Sequence, residues 1–525
     1  MHGNSMHGNQ EIPGAPAALR KQRAGRGTHK GAPFMHAAGK SDHCVVPEKA
    51  RTNAARRAEG PEGRRWIKEN DMKERTDPTR SGIPVSQGLH GVREAARKDP
   101  GLRFTALLHH VNETRLRDSF YRLKKEAAPG VDRVTWGAYE QGLEDRITDL
   151  HGRVHRGAYR AQPSRRVYIP KPDGRQRPLG IAALEDKIVQ QAVATVLEQI
   201  YEEDFLGFSY GFRPGRGAHD ALDALTVGIV TKKVNWIVDA DIRGFFDNIS
   251  HEKLMELMEM RVADQRILRL IRKWLKAGVS EEGQWSETKI GTPQGAVISP
   301  LLANIYLHYV LDQWVAKWRK ESAGGDVIIV RYADDFVLGF QYRQEAAQFL
   351  EQLRERLAEY GLELHSEKTR LIEFGRFAAE DRKRDGAGKP ETFDFLGFTH
   401  LCGTTWKHGK FTVTRQTVGK RMRAKLKAIR AELRRRMHEP IAPTGDWLRQ
   451  VVRGYFNYHA VPGNLPRLST FHWDVARSWY FTLRRRSQRT RWTWERAETL
   501  LARYLPPPRI LHPYPWERFA AKHPR

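Results

Sequence analysis

Hydrophobic residues recur at two different spacings between about residue 88 and residue 401, and together they predict a mixed fold. Spacings of three and four predict helices at 102–125, 137–156, 183–201 and 343–360. Apolar runs and alternating patterns predict strands at 165–181, 234–242, 327–340, 362–374 and 391–401, the first and third of them as hairpins. The elements do not follow a regular βαβ order. The pattern therefore predicts an α+β fold with a mostly antiparallel sheet.

The pattern changes after residue 406, where helical spacing predominates. It predicts helices at 414–437, 445–459, 468–487 and 493–504, the first of them basic on most faces. Residues 1–80 are rich in Gly, Ala, Arg and His and have little apolar periodicity, so we predict a disordered basic tail there. The predicted domains are this tail, an α+β region, a helical region and a basic C-terminal region, at 1–80, 81–400, 401–487 and 488–525.

Charge is concentrated at the C-terminal end of the chain. The net charge of the 525 residues is +28, and residues 401–525 alone carry 27 Lys and Arg against 7 Asp and Glu. Residues 81–400 are nearly neutral, with 47 basic and 46 acidic residues. A solvated basic surface is the plainer interpretation. A surplus of this size in one segment nevertheless favours nucleic acid, because released counterions drive the binding of polyanions.

Composition also argues against several classes of protein. Only Cys44 and Cys402 are present, which is too few for a disulfide framework or a zinc site built on Cys pairs. No apolar run approaches the roughly 18 residues that a membrane-spanning helix needs. The N-terminus lacks the apolar stretch of a secretory signal. We therefore expect a cytoplasmic protein that does not contact membranes.

Acidic residues stand where predicted buried strands end. Asp241 closes one strand, and Asp334 and Asp335 occupy a hairpin tip. Phosphoryl transfer needs positioned charge, and carboxylates are ligands that hold Mg²⁺ at such sites. The alternative is a solvent-facing Asp-Asp turn, which the apolar strands on both sides disfavour. Periodicity alone does not choose Asp241 over Asp239, which lies on the same strand face, or over Asp247.

Six sequence blocks follow one another along the chain: YIPKPDGRQRPLGIAALEDKIVQQAV (168–193), FSYGFRPGRGAHDAL (208–222), DADIRGFFDNI (239–249), GTPQGAVISPLLANIYLHYVLD (291–312), YADD (332–335) and FDFLGF (393–398). They resemble the reverse transcriptases encoded by group II introns, and they occur in that family's order. The resemblance implies a right-hand polymerase with fingers and palm, an antiparallel palm sheet, and an α-helical thumb, or maturase, domain after it.

The resemblance also implies a two-metal active site. It assigns Asp241 and Asp334 to two Mg²⁺ ions, with Asp335 in support and the backbone carbonyl of Ala240 as a further ligand. Two such ions can activate the attacking oxygen and stabilise the leaving oxygen. Lys368 matches a position where a lysine protonates the pyrophosphate leaving group; without the resemblance it would be an ordinary surface lysine.

A nucleotide-binding set is implied in the same way. Lys171 and Arg177 would grip the incoming triphosphate, and Gln294 and Gly295 would line the nucleotide pocket. Phe246 would lie under the sugar and exclude a ribose 2′-hydroxyl, favouring dNTPs over rNTPs. The plainer alternatives are solvated surface for Lys171 and Arg177, a helix cap for Gln294 and core packing for Phe246.

The basic helices after residue 401 resemble the thumb, or maturase, region of the same family, with VVRGYFNYHAVPGN (451–464) as its signature. Arginine suits phosphates and aromatic rings stack on unpaired bases. The predicted RNA-binding residues are Arg421, Arg423, Lys425, Lys427, Arg453 and Tyr455. The alternative is that the aromatic residues of this block form a helical core. Residues 488–525 loosely resemble a DNA-binding region.

The expected function is RNA-directed DNA synthesis by a protein that also binds its group II intron RNA and assists splicing and target-primed mobility. The expected partners are intron RNA, an RNA template, a DNA primer or target, and dNTPs, with the protein associated with the bacterial nucleoid. Because Cys pairs for zinc are lacking, we expect no HNH endonuclease. The alternatives are a reverse transcriptase of a retron, a diversity-generating element or a defence system, or a maturase that acts only in splicing. An RNA-dependent RNA polymerase is disfavoured by Phe246.

Overall fold

The computed structural model describes residues 87–170, 176–281, 283–288, 290–405, 408–486 and 492–522. The tail predicted at 1–80 lies outside these residues. The helices are α1 (Gln87–Lys98), α2 (Glu113–Arg122), α3 (Trp136–Glu140), α4 (Leu143–His155), α5 (Leu184–Asp204), α6 (Ala218–Thr231), α7 (Phe245–Asn248), α8 (His251–Glu259), α9 (Gln265–Lys276), α10 (Ser299–Leu307), α11 (Gln313–Glu321), α12 (Arg343–Glu359), α13 (Ala378–Arg384), α14 (Gly419–Arg435), α15 (Ile441–His459), α16 (Leu465–Arg484), α17 (Trp494–Tyr504) and α18 (Pro515–Lys522).

The strands of the described residues form three sheets. They are β1 (Ser164–Pro170), β2 (Gln176–Ile181), β3 (Trp236–Asp241), β4 (Val279–Glu281), β5 (Gln284–Ser286), β6 (Val327–Tyr332), β7 (Asp335–Phe340), β8 (Arg370–Glu373), β9 (Phe393–Phe395), β10 (Phe398–Thr404) and β11 (Phe411–Thr417). Their orders are β2-β1-β4-β5, β6-β7-β3-β8 and β11-β10-β9. All pairs except β1 with β4 are antiparallel. The mixed class and the mostly antiparallel sheets confirm the predicted α+β fold.

The central sheet is built from the apolar runs that the sequence marks as buried strands. β6 is buried along its whole length, and β7 is buried from its second residue onwards. β3 lies between β7 and β8, with which it pairs in antiparallel register. A large apolar core containing α5, α8, α9 and α10 includes one face of this sheet, and a second cluster joins the opposite face to α6 and β9–β11. Both faces are therefore covered, which fixes the strand ends that carry the acidic residues.

The C-terminal helices have a core of their own. Met422, Leu426, Ile429 and Leu433 form a buried stripe along α14, which packs with α15, α16 and α17. The helix is basic on its exposed faces, as predicted, and its remaining face is the apolar stripe that packs into this core. The helix also begins at Gly419 and not near residue 414, since the preceding residues belong to β11.

Other predicted elements differ from the structure at their ends. The helix predicted at 102–125 begins only at Glu113, after an Asn112 cap, because the backbone N–H groups of Leu107 and Leu108 donate to the Asp264 carboxylate at 2.7 and 3.0 Å. The helix predicted at 137–156 is interrupted at Gly142, which has a left-handed φ of 74°. Local spacing missed both breaks because it does not register a distant carboxylate or a backbone turn.

Candidate active site

Asp241, Asp334 and Asp335 come together at one end of the central sheet. Asp241 is the last residue of β3 and stands opposite Asp335, the first residue of β7. Directly paired residues of antiparallel strands have Cα atoms about 4.5–5.5 Å apart. Asp334 precedes Asp335 in the tight turn between β6 and β7, where Ala333 adopts a left-handed φ of 57°. Asp241 and the adjacent pair Asp334 and Asp335, which are far apart in the sequence, therefore share one corner.

The electrostatics of this corner favour a bound cation. Burial raises the pKa of Asp334, and the negative charge of Asp241 raises it further. Although Asp335 keeps part of its surface open to solvent, the surrounding protein raises its pKa to about 7, with added contributions from the charges of Asp334 and Asp241. Ionising several neighbouring carboxylates costs electrostatic free energy unless a positive charge compensates them. A divalent cation would supply that charge.

The donor chemistry fits magnesium, although the carboxylates do not form a finished coordination shell. The oxygen atoms of Asp241, Asp334 and Asp335 are the hard ligands that Mg²⁺ prefers. Across the described ranges, no three His, Cys, Asp or Glu side chains are arranged as a ready metal site. The carboxylate of Asp241 instead forms an ion pair with the ammonium of Lys368. The residues therefore match the implied metal in type.

Lys368 belongs to this corner, where its ammonium pairs with the carboxylate of Asp241. Its segment is tied to the end of β3, because the backbone N–H of His365 donates to the carbonyl of Asp241 at 2.8 Å. The backbone N–H of Lys368 then donates to the carbonyl of His365 at 3.1 Å. These bonds carry the Lys368 side chain to the carboxylate of Asp241.

The two competing aspartates have other partners. Asp239 lies two residues before Asp241, and its carboxylate accepts a hydrogen bond from the guanidinium of Arg370 at 3.3 Å. Burial raises the pKa of Asp239 to about 6, against the lowering influence of Arg370. Asp247 accepts from the side-chain amide of Gln294 at 3.2 Å. The sequence analysis did not identify Arg370. Because Arg370 contacts Asp239 and Lys368 contacts Asp241, the two aspartates of β3 have different partners.

The glycine-containing loop before α10 is fixed against the β1–β2 hairpin. The backbone N–H of Gly180 on β2 donates to the carbonyl of Gln294 at 2.7 Å. Gly295 has a φ of 112°, and a Cβ added there would lie 2.9 Å from the carbonyl oxygen of Gly180. Glycine is required on both counts. This contact joins the predicted nucleotide pocket to the hairpin.

The same hairpin places a basic residue within electrostatic reach of the acids. Arg177 is exposed on β2, and its charge lowers the pKa of Asp334 against the effect of burial. Lys171, the other predicted triphosphate ligand, lies outside the described residues. Phe246 follows the end of β3 on α7, half-buried, with its ring centroid 5.3 Å from that of Phe245. Its ring therefore packs partly against the core and stays partly exposed.

Most of the predicted RNA-binding residues lie on the surface of the C-terminal helices. Arg421, Arg423 and Lys427 are exposed on α14, Lys425 is half-buried, and Arg453 is exposed on α15. The charge of Arg421 also lowers the pKa of Asp335, opposing the effect of burial. The start of α14 therefore lies within electrostatic reach of the acidic corner.

Tyr455 is a correction to the predicted set. Its ring is 5% exposed and stacks on Phe471 with centroids 3.6 Å apart and planes 10° from parallel. It belongs to the core between α15 and α16, so its face is not available to a base. Helical spacing with the buried residues Leu448 and Val452 is the signal that identifies this core position.

A second aromatic and basic surface was missed in the sequence. Trp473, Arg477, Phe481 and Arg484 follow one another on the exposed side of α16. The guanidinium of Arg477 lies 5.6 Å from the ring centroid of Phe481. Positions three and four apart on a helix share a face, and that spacing is the signal for this stripe.

No helix in the described part of the chain combines the length and the apolar character needed to cross a membrane.

Comparisons with known proteins agree with this arrangement of strands and acids. The sequence profile of the family described as "Reverse transcriptase (RNA-dependent DNA polymerase)" matches residues 169–400. That segment contains all three carboxylates of the corner. Protein YkfC of Escherichia coli strain K12 is 35% identical over 278 residues, which cover 46% of this chain and 72% of that protein.

Two further relatives are proteins of introns. Group II intron-encoded protein LtrA of Lactococcus lactis is 45% identical over 173 residues, which cover 33% of this chain and 28% of LtrA. A 91 kDa protein in the cob intron of Schizosaccharomyces pombe is 44% identical over 202 residues, 38% of this chain and 24% of that protein. The chain thus matches less than a third of the length of either intron protein. It belongs to the reverse transcriptase family of RNA-dependent DNA polymerases.

Proposed function

We propose that this reverse transcriptase extends a DNA primer on an RNA template at the corner formed by Asp241, Asp334 and Asp335. The observation that carries the proposal is the register that sets Asp241 opposite Asp335, next to the turn at Asp334. Two Mg²⁺ ions held by these carboxylates and by the carbonyl of Ala240 would activate the primer 3′-hydroxyl and offset charge on the phosphates.

The surrounding residues bind and orient the substrates in this proposal. Lys171 and Arg177 grip the triphosphate of the incoming dNTP, and Gln294 and Gly295 shape the pocket for its base and sugar. Phe246 excludes a 2′-hydroxyl with the exposed part of its ring. The assignment of Arg177 is supported by its electrostatic effect on Asp334.

Lys368 exchanges partners during the reaction in this proposal. Before substrates bind, its ammonium pairs with the carboxylate of Asp241, as in the ion pair of the structure. When substrates bind, the ammonium moves to the pyrophosphate leaving group and donates a proton to it. The catalytic role proposed for Lys368 and its contact with Asp241 are compatible because a lysine side chain has several rotatable bonds.

The domain assignments are also proposals. Residues 81–400 would form fingers and palm, 401–487 the thumb or maturase domain, and 488–525 a DNA-contacting region. The separate apolar core of the C-terminal helices begins at Met422 and supports a boundary just before α14, whereas residue 401 lies within β10.

The basic helices would bind the group II intron RNA and assist its splicing and target-primed mobility, while the RNA carries out the splicing chemistry. Arg421, Arg423, Lys425, Lys427 and Arg453 would contact phosphates. The stripe on α16 adds aromatic rings on which unpaired bases can stack. The proposed setting is the bacterial cytoplasm, at the nucleoid.

Primer extension on an RNA template tests the proposal. The purified chain should incorporate dNTPs in Mg²⁺, prefer them to rNTPs and lose activity on chelation of the metal. Asp334→Ala should lower the rate by at least about 1,000-fold, since the corner loses a metal ligand. A wild-type chain that binds intron RNA and promotes splicing but extends no primer would instead indicate a maturase that acts only in splicing.

A further inference from the structure

A fully buried arginine lies directly behind the acidic turn. Arg331 on β6 and Asp312 are both 0% exposed. Two nitrogen atoms of the Arg331 guanidinium donate to the two carboxylate oxygens of Asp312, Nε to Oδ1 at 2.7 Å and Nη2 to Oδ2 at 2.5 Å. Asp312 closes the π-helical segment His308–Asp312 between α10 and α11. The ion pair therefore connects this helical element to the strand that leads into the turn.

The third guanidinium nitrogen binds the turn itself. Nη1 of Arg331 donates to the backbone carbonyl of Ala333 at 2.9 Å and to the side-chain oxygen of Asn304 at 3.0 Å. Ala333 is the left-handed residue immediately before Asp334. Left-handed φ values are unfavourable for residues with a Cβ. The hydrogen bond from Arg331 thus holds the backbone at the point where it is strained.

A neighbouring loop closes the turn from the other side. Asn304 on α10 donates its side-chain N–H to the carbonyl of Gly211 at 2.8 Å. A Cβ on Gly211 would lie 2.2 Å from the backbone nitrogen of Ala333, so only glycine allows this approach. Arg331, Asn304 and Gly211 therefore enclose the turn in one hydrogen-bonded network.

We propose that Arg331, oriented by Asp312 and Asn304, is a positioning residue that fixes the backbone turn and thereby places the carboxylate of Asp334 for catalysis. The inference rests on the proposed role of Asp334. Arg331 itself contacts no substrate and acts through the carbonyl of Ala333.

Stability alone does not account for this arrangement. Well-packed apolar residues usually replace a buried ion pair at little cost or with a gain in stability. What an apolar pair cannot replace is the N–H that Arg331 directs at Ala333. π-helical segments occur frequently at functional sites.

The test is the double variant Arg331→Met/Asp312→Leu in the full-length chain. It removes both charges together, so neither is left buried without its partner. The matched control is Arg261→Met/Asp204→Leu, which removes another bidentate, largely buried pair. Arg261 donates to the carbonyl of Leu102, outside the acidic corner.

Three readouts separate positioning from stability. The Arg331/Asp312 variant should lower kcat by about 10- to 100-fold, with the dNTP KM changed less than about threefold. The Mg²⁺ concentration for half-maximal activity should rise by about tenfold or more. Hydrogen–deuterium exchange of a peptide spanning 330–336, measured without substrate, should become faster. The control pair should leave all three readouts at wild-type values.

The variant Asn304→Ala tests the positioning role a second time, and its result does not depend on whether the double variant folds. It keeps the ion pair and removes only the amide between Arg331 and Gly211. We expect faster exchange of the same peptide and a kcat reduced about 3- to 10-fold. Wild-type exchange and kcat in both variants would overturn the positioning role. Activity retained in Asp334→Ala would instead overturn the proposed active site, so the two failures are distinguishable.

Discussion

The salt dependence of RNA binding should report directly on the exposed basic side of the C-terminal helices. The perturbation is the triple variant Arg423→Gln/Lys427→Gln/Arg453→Gln. Arg423 and Lys427 lie one turn apart on α14, and all three side chains are exposed. The buried stripe of α14 is untouched, so the fold and the thermal melting temperature should be preserved.

The magnitude follows from the number of charges removed. Each phosphate contact contributes about 0.7–0.9 to the slope of log K against log salt concentration. Three lost contacts should therefore reduce the slope by roughly 2–3. Between about 50 and 200 mM salt, wild-type affinity should then fall roughly 20- to 40-fold further than the variant's affinity.

Fluorescence anisotropy with a labelled intron RNA at several salt concentrations measures this slope. The control is Lys317→Gln/Arg354→Gln/Arg384→Gln, which removes the same charge from exposed residues of α11, α12 and α13. It should leave the slope within about 1 of the wild-type value. Equal slopes for the wild-type chain and the α14–α15 variant, or an equal change in the control, would refute the assignment of RNA binding to this surface.

Three further substitutions test individual side chains. Tyr455→Ala should lower the free energy of unfolding by about 3–5 kcal/mol because it empties the space against Phe471, whereas Tyr455→Phe should bind RNA normally in the same anisotropy assay; weakened binding by Tyr455→Phe would contradict the buried role. Gly295→Ala should raise the dNTP KM more than Gly361→Ala. Both glycines have positive φ, but only Gly295 closely approaches the backbone of another segment. An equal rise in KM for the two variants, measured by steady-state kinetics, would refute the importance of that close approach. Phe246→Ala should increase rNTP incorporation relative to dNTP by at least about tenfold in primer extension, and unchanged discrimination would place the steric barrier elsewhere.

Part of the acidic corner was predictable because its signals are local. Apolar runs on both sides of Asp334 and Asp335 predict the buried hairpin. The register that sets Asp241 opposite Asp335 joins distant segments, and only the family resemblance pointed to Asp241. What local patterns could not give is the partner of each charge. Arg370 binds Asp239 and Lys368 binds Asp241, and each hydrogen bond joins residues more than 120 positions apart in the sequence.

Tyr455 was assigned wrongly and Arg331 was not identified, both because local patterns do not show the contacts of a side chain. Tyr455 was predicted to bind RNA because it lies near arginines. Its spacing with buried neighbours instead identifies it as a core residue. Arg331 is the opposite case, a charged residue within the apolar run of β6. A charge in a buried strand requires a partner, but the sequence does not say that the partner is Asp312 or that the guanidinium reaches Ala333.

The central claim is that Asp241, and not its neighbour on the same face of β3, completes the catalytic corner. The most direct measurement compares Asp241→Asn with Asp239→Asn in RNA-templated primer extension at saturating Mg²⁺. Asp241→Asn should lower kcat at least about 1,000-fold, and Asp239→Asn, which alters a pair with Arg370, should stay within about tenfold of wild type. Full activity in Asp241→Asn, or the larger loss in Asp239→Asn, would contradict the account.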